Sequence, residues 1–294
     1  MRGLLLALLL PAGAAAQGLG PGADPYRADI RRPFVAAGAG YSDAEGLRHR
    51  SARVSGNAVL RPGLTLEAGF SDHRILRDGW LPGELYTADL RLNARTRRYA
   101  FSAGVRSSSD RLFYSASETD LSLNAAKVLS AEGRHRLSFG LAYSSRRSFA
   151  RGYPFPYLLY TYRTETLVFN LPFSALWRPS PDYEVSASYM PPKYCKLGLA
   201  RRLTAEVKLG AEYSFSALQY DLAHRQDKSA STYIEQRSAG LTADYAPAGD
   251  YRLAAWAGWA LRGRYYDGRT YDEHRDAVTT RPGPALALNF YRLF

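Results

Sequence analysis

The chain has 294 residues and a formal net charge of +12, from 39 Lys and Arg against 27 Asp and Glu, with 22 Tyr, 12 Phe and 4 Trp. Its mean hydropathy is negative and no apolar run reaches the ~20 residues of a spanning helix, which excludes helical membrane crossings; its lone Cys195 excludes an internal disulfide framework. Aromatic residues favour strands, so two all-β classes stay open: a soluble sandwich, and a membrane barrel whose rings form interfacial girdles.

In chain order, Met1-Arg2, the apolar run Leu4 to Leu10, Pro11 and Ala14-Ala15-Ala16 predict a signal peptide over residues 1–16, cut before Gln17. No cysteine follows to accept a lipid, so secretion is expected and not anchoring. Residues 17–32, rich in Pro and Gly with Tyr26 and Ile30, read as a periplasmic tether or plug. From residue 33 the pattern changes to alternation with a period of two. Tyr86, Ala88, Leu90, Leu92 and Ala94 share one face, while Thr87, Asp89, Arg91, Asn93, Arg95 and Arg97 share the other. Leu137, Phe139, Leu141 and Tyr143 oppose Arg136, Ser138, Gly140, Ala142 and Ser144; Ala205, Val207, Leu209, Ala211, Tyr213 and Phe215 oppose Glu206, Lys208, Gly210, Glu212 and Ser214. Such segments exceed most strands of soluble proteins and approach the ~9–11 residues that cross a bilayer when tilted.

Punctuation separates barrel from sandwich. Short turns fit at residues 61–63, 96–98, 131–133, 180–182, near Arg202 and at 247–250, and they alternate with longer polar stretches at 42–51, 73–83, 145–164, 219–231 and 262–283. Short turns on one side and long loops on the other define a transmembrane barrel. The marks predict an all-β antiparallel transmembrane β-barrel over residues 33–294, with fourteen strands in a range of twelve to fourteen and both termini periplasmic. The region Tyr153 to Trp177 is the uncertain one: Leu158 to Arg163 is either a strand or the rim of the next, and Pro172 implies a bulge or kink within one strand.

At the end of the chain Leu286, Leu288, Phe290 and Phe294 fall on one face. This resembles the closing strand of outer-membrane barrels, which implies recognition by the barrel-assembly machinery; Arg292 departs from the pattern at the third position from the end. The stretch through Pro154-Phe155-Pro156, Tyr160 to Arg163, Asn170-Leu171-Pro172-Phe173, Trp177-Arg178-Pro179 and Pro181-Asp182-Tyr183 resembles a group of Gram-negative outer-membrane barrel proteins with no assigned activity. The resemblance spans the central and C-terminal half and implies fold and outer-membrane location alone.

Charge distribution argues against nucleic acid as partner. The polar faces place Asp89, Arg91, Arg95, Arg106, Arg136, Glu184, Glu206, Lys208, Glu212, Asp244 and Arg252 along a lumen, joined by Glu67 and Lys196, in near balance. Excess arginine falls at the ends: Arg27, Arg31, Arg32, Arg61, Arg97, Arg98, Arg134, Arg178, Arg201 and Arg202 at a periplasmic rim, and Arg48, Arg50, Arg53, Arg146 and Arg147 near an outer rim. Only 5 of the 39 basic residues are Lys, and guanidinium binds phosphate bidentately, so lipid headgroups and lipopolysaccharide are the expected partners; Arg-rich codon usage is the bland alternative.

Catalysis has little to stand on. His49-Arg50-Ser51 with Asn57 resembles the His-x-Ser and Asn of outer-membrane phospholipases, but the spacing differs and His49 falls in an expected loop. His274 with Asp267, Asp272, Glu273 and Asp276 reads first as a solvated charged loop. No enzyme activity, cofactor or metal is therefore expected. A passive pore or small-solute transporter leads, since fourteen strands enclose more room than side chains fill. A structural or surface-interaction barrel follows, favoured if loops occlude the lumen, and a surface hydrolase is remote.

Overall fold

The computed structural model describes residues 32–44, 47–76, 80–147, 151–190, 193–247 and 249–294. The expected leader and residues 17–31 of the tether lie outside the described residues. Strands run as β1 (Phe34–Ala44), β2 (Leu47–Arg61), β3 (Leu64–Ile75), β4 (Glu84–Arg95), β5 (Tyr99–Ser109), β6 (Thr119–Glu132), β7 (His135–Ser144), β8 (Phe155–Arg163) and β9 (Leu167–Leu171). They continue as β10 (Ser174–Trp177), β11 (Tyr183–Met190), β12 (Tyr194–Arg202), β13 (Val207–Tyr220), β14 (Ser231–Tyr245), β15 (Tyr251–Ala260), β16 (Gly263–Gly268), β17 (Arg275–Thr280) and β18 (Gly283–Leu293). Each of β1 to β14 pairs antiparallel with the next, β18 joins β15, and Phe34↔Leu293 to Ser42↔Ala285 close β18 onto β1. The ring thus has sixteen strands, and the β16–β17 hairpin projects from the upper part of β14 outside it.

Sixteen replaces the expected fourteen because residues 153–177 hold three strands where one was predicted. Leu158 to Arg163 belongs to β8, a strand of its own, and Pro172 does not kink a single strand but sits in the turn of the β9–β10 hairpin, where the Phe173 amide donates to Asn170 O. Residues 42–44 and 47–51 are likewise strand and not loop: Ser42↔His49, Asp43↔Arg48 and Ala44↔Leu47 extend the β1–β2 ladder. There both faces are polar, so the apolar signal ends although pairing continues. Of the stretch 262–283, most is the β16–β17 hairpin.

Both described chain ends lie at one end of the ring, where Phe294 N donates to Pro33 O. Turns at this terminal end are tight, and Gly63 and Gly133 supply the positive φ of 82° and 54° that two of them require. The opposite end carries the long segments 110–118, 145–154, 221–230 and 261–282, and is called the loop end.

Alternation fixes which face points out. Leu90, Leu123, Leu141, Leu199, Leu209, Leu241 and Leu288 are exposed on the outside around the whole ring, whereas Asn93, Ser102, Ser138, Thr161, Thr242 and Asp244 are buried on the inside. A soluble sandwich would do the reverse; rows of leucine facing outward require lipid. Aromatic rings bracket the band, with Tyr99, Tyr183, Tyr245 and Tyr251 at the terminal end and Phe70, Tyr189 and Trp259 toward the loop end. Tyr251 and Trp259 are eight residues apart on β15, roughly 20 Å along the normal of a tilted strand, against a band of ~25 Å in such barrels. Arg292, the departure from the closing-strand pattern, also faces outward, stacked 5.0 Å from the Phe294 ring centroid.

Candidate functional site

The inner wall is a lattice of opposed charges. Cross-strand register places Glu67 opposite Arg91, Asp89 opposite Arg106 and Lys208 opposite Asp244. Lys196 Nζ lies 2.6 Å from Glu212 Oε2, Arg252 Nη2 2.6 Å from Asp244 Oδ1, and Glu184 lies within 3.1 Å of Arg178 and 3.3 Å of Lys208. Such pairing lets charged side chains share a confined interior, since each supplies the partner that water would otherwise provide.

Between β1–β3 and β12–β15 the lumen widens into a cavity of about 220 Å³, lined by Tyr41, Ser51, Arg53, His73, Lys196, Glu212, Gln236, Trp256 and Asn289 among others. His49 and His73 stack with ring centroids 5.7 Å apart, and Tyr220 meets His73 edge-on at 6.1 Å. Above this cavity the inner face turns apolar. Leu47, Leu81, Leu85, Tyr220, Ile234 and Tyr265 form one buried cluster, flanked by Ile75, Leu218, Leu222 and Val278. Drawn from β2, β4, β13, β14, β16 and the β3–β4 loop, these side chains meet across the mouth and roof it.

A polar lid completes the closure. β5 and β13 stand eight strands apart in a ring of sixteen, yet Asp221 N donates to Ser108 O at 2.7 Å and Ala223 N to Asp110 Oδ1 at 2.7 Å. The β13–β14 loop therefore crosses the full width of the mouth. Arg225 anchors it: Nη1 donates to Glu118 Oε1 at 3.0 Å, Nη2 to Ser117 O at 2.6 Å, and Asp221 lies 3.7 Å away. Arg146 of the β7–β8 loop ties in Ala116 O and Lys228 O, and its own carbonyl accepts from Gln219 Nε2. Burial works to raise Glu118, but the Ser115 and Ser117 hydroxyls, Arg225 and Lys228 outweigh it and hold the carboxyl below its ordinary range. Burial pushes Asp221 the other way, upward.

Of the residues singled out from sequence, Asp89, Arg91, Arg95, Arg106, Arg136, Glu184, Lys208, Glu212, Asp244 and Arg252 sit on inward positions of their strands. Glu206 does not: it lies exposed in the turn between β12 and β13, its carbonyl held by Ala246 N, because the alternation of β13 begins only at Val207. Arg53, expected at the outer rim, instead lines the cavity. With Arg53, Lys196, Glu67 and Asp120 included, these inward strand positions carry eight cations and six carboxylates. Leu286, Leu288, Phe290 and Phe294 share the outward face of β18. The residues resembling a phospholipase site do not converge: His49 and Asn57 are eight residues apart on β2, roughly 27 Å, and Asn57 Oδ1 accepts from Phe34 N. His274 stands edge-on to Tyr266 at 4.5 Å, while Glu273 binds Arg269 N and Arg275. Among the described residues no three His, Cys, Asp or Glu side chains gather as a metal site. The lid and roof were not legible, since they depend on contacts such as Glu118 to Arg225, 107 residues apart.

A closed antiparallel ring with its leucines outside and its charges inside is a transmembrane β-barrel, the architecture of bacterial outer-membrane proteins. No family model and no curated protein matches the chain. Among solved structures it is similar to an outer-membrane channel from Pseudomonas putida F1, at 12% identity over 90% of this chain and 95% of that one, with a TM-score of 0.35. It is also similar to the KdgM porin solved in complex with disordered oligogalacturonate (6% identity, 89% and 99% covered, TM-score 0.31) and to LpxR from Salmonella typhimurium (7%, 89% and 100%, TM-score 0.34). These are likenesses of barrel form only.

Proposed function

We propose that the protein is an outer-membrane channel for small solutes, shut at its loop end by a movable lid. The observation that supports this reading is the contrast between the inner wall and its closure. Sixteen strands enclose more space than side chains fill, as barrels of this size do, and a lattice of paired charges lines that space. The closure, by comparison, is an apolar roof beneath one loop that crosses the mouth, and that loop is held by hydrogen bonds and ion pairs and not by strand pairing. In this reading the terminal end is periplasmic and the lid faces outward, residues 1–16 are a cleaved leader, the rim arginines engage lipopolysaccharide phosphates, and Leu286, Leu288, Phe290 and Phe294 present the outward row read by the assembly machinery.

Planar-bilayer recording of the refolded chain tests it. The intact protein is expected to open rarely, whereas replacing residues 222–229 by a short Gly-Ser linker gives steady conductance. Silence from both forms would sink the channel reading. It would leave a second, which the apolar roof of Leu47, Leu85 and Tyr220 favours: a closed barrel that displays its loops to a partner.

A further inference from the structure

The wall of the barrel is incomplete on one side. β9 and β10 are five and four residues long, about half the length of β8 and β11, and their hairpin turns back at Pro172-Phe173. Above it, Phe155 to Leu159 of β8 pair with β7 and, among the described residues, with no strand on their other flank. On β11 the ladder to β10 ends at Ser188, Tyr189 N still donates to Phe173 O at 2.8 Å, and among the described residues Met190 pairs only with β12. The step is within the bilayer. Trp177 and Tyr183 mark the terminal girdle, Ser174 lies only three residues above Trp177, and Tyr189, six above Tyr183, reaches the opposite girdle. Two missing strands leave three inter-strand spacings, roughly 14 Å, between the flanking backbones, enough for an acyl chain.

Open strand edges in hydrocarbon are costly because their amides have no partner. Pro154, Pro156 and Pro172 stand around this one, and proline brings no N–H to satisfy. The rim is apolar: Phe155, Leu158, Leu171 and Tyr189 are 40%, 58%, 52% and 52% exposed. Its loop-end corners are cationic. Arg147 sits 5.5 Å over the Phe155 ring on one side, its Nη2 donating to Ala142 O and Tyr153 O, and Lys193 follows β11 on the other, its buried ammonium turned inward, 3.0 Å from Gln219 Oε1 and within electrostatic range of Arg106, Asp120, Asp221 and Arg147.

We propose that this gap is a lateral portal to the membrane that takes an anionic phospholipid-like amphiphile from the loop-side leaflet, with its acyl chain between β8 and β11 and its phosphate between Arg147 and Lys193. The inference does not depend on the axial channel. A chain in the gap would reach Leu159, which faces inward and is 3% exposed, from the lipid side.

The test places a bimane label on Leu159→Cys in a Cys195→Ser background, with the full chain refolded into phosphatidylcholine vesicles holding about one fifth phosphatidylglycerol. Bromine is carried mid-chain on one lipid or the other. Brominated phosphatidylglycerol should quench the label severalfold more than brominated phosphatidylcholine at equal mole fraction, and Arg147→Gln with Lys193→Gln should remove that preference. Soluble glycerol phosphate in excess should not, which separates a lipid from a free phosphate. A label at Ser238→Cys, inward on the complete wall, sets the baseline, and Met190→Cys serves as reporter on the opposite flank if the first variant does not fold. Quenching no greater than this baseline overturns the portal; equal quenching by both lipids overturns the headgroup site. Protection from both lipids with a dimer by light scattering overturns it in favour of a second copy pairing with the open edges.

Discussion

The two halves of the ring divided by the line from β5 to β13 solve the same problem differently. From β13 to β15 and on through β18 and β1 to β4 every strand of the ring crosses the bilayer, the outward face stays apolar, and the inside is sealed above by apolar side chains. From β6 to β12 no residue joins that roof, the apolar Leu159, Val168 and Leu176 being buried against the wall instead, and the wall drops at β9–β10. Complete pairing gives a rigid wall that needs its seal in the lumen; incomplete pairing moves the weakness into the wall itself. Stability and access are thus separated by position around one sheet.

The largest way to break this contrast is at the lid between the halves. Arg225→Met leaves the buried Glu118 carboxylate without its nearest cation, and breaking such a pair costs about 3–5 kcal/mol locally. Single-channel recording should show frequent opening, with the barrel itself still resistant to urea; a tightly shut lid would mean that the roof alone closes the mouth. Next comes the wall. Leu288→Arg, 51% exposed at mid-strand between β1 and β15, should cost about 2–4 kcal/mol by the scale for a cation at the midplane of a barrel. Leu158→Arg, at the open edge of β8, should cost under about 1 kcal/mol because its guanidinium can turn through the step toward the polar interior. Urea titration of heat-modifiable gel mobility reads both, and equal costs would show the step to be filled.

How far the sequence foretold the two halves follows from their construction. β4, β7 and β13 were legible because one face is apolar along the whole crossing, and Leu209, Leu90 and Leu141 point where the alternation puts them. β8 to β10 were not, since a proline in a half-length hairpin reads as a kink in one full-length strand. Arg53 was placed at a rim because the tip of the β1–β2 hairpin is polar on both faces, which removes the periodicity that marks inside from outside. Leu47 and Leu85 carry no sign in the sequence that they face inward as a roof and not outward to lipid. The lid needs contacts between segments over a hundred residues apart, which no local pattern encodes.

Smaller effects sharpen the comparison. Glu118 has its carboxyl depressed in the folded lid, so its stabilisation is present above the ordinary carboxylate range and is lost as pH falls through the depressed value. Conductance should accordingly stay low from neutral pH down through that range and rise only below it; opening already near pH 6 would assign the gate to another group. Smallest is the selectivity of the opened lumen. With eight cations and six carboxylates at these inward strand positions, reversal potentials in a KCl gradient should show a slight preference for chloride, since selectivity follows the charges along the path and not the net +12. Strong cation selectivity would mean that the opened path avoids Arg53, Arg91 and Arg106.

The seam where β18 meets β1 joins Phe34 to Leu293, so the first strand cannot find its second neighbour until the final residues have been made. Until then the nascent sheet has two bare edges, each a template for pairing with another chain, and its closure spans nearly the whole polypeptide, which makes it intrinsically slow. A ribosome delivers β1 long before β18. The chain must therefore be kept apart from its own copies throughout translocation, and any truncation within β18 leaves it not as a weaker barrel but as an adhesive ribbon.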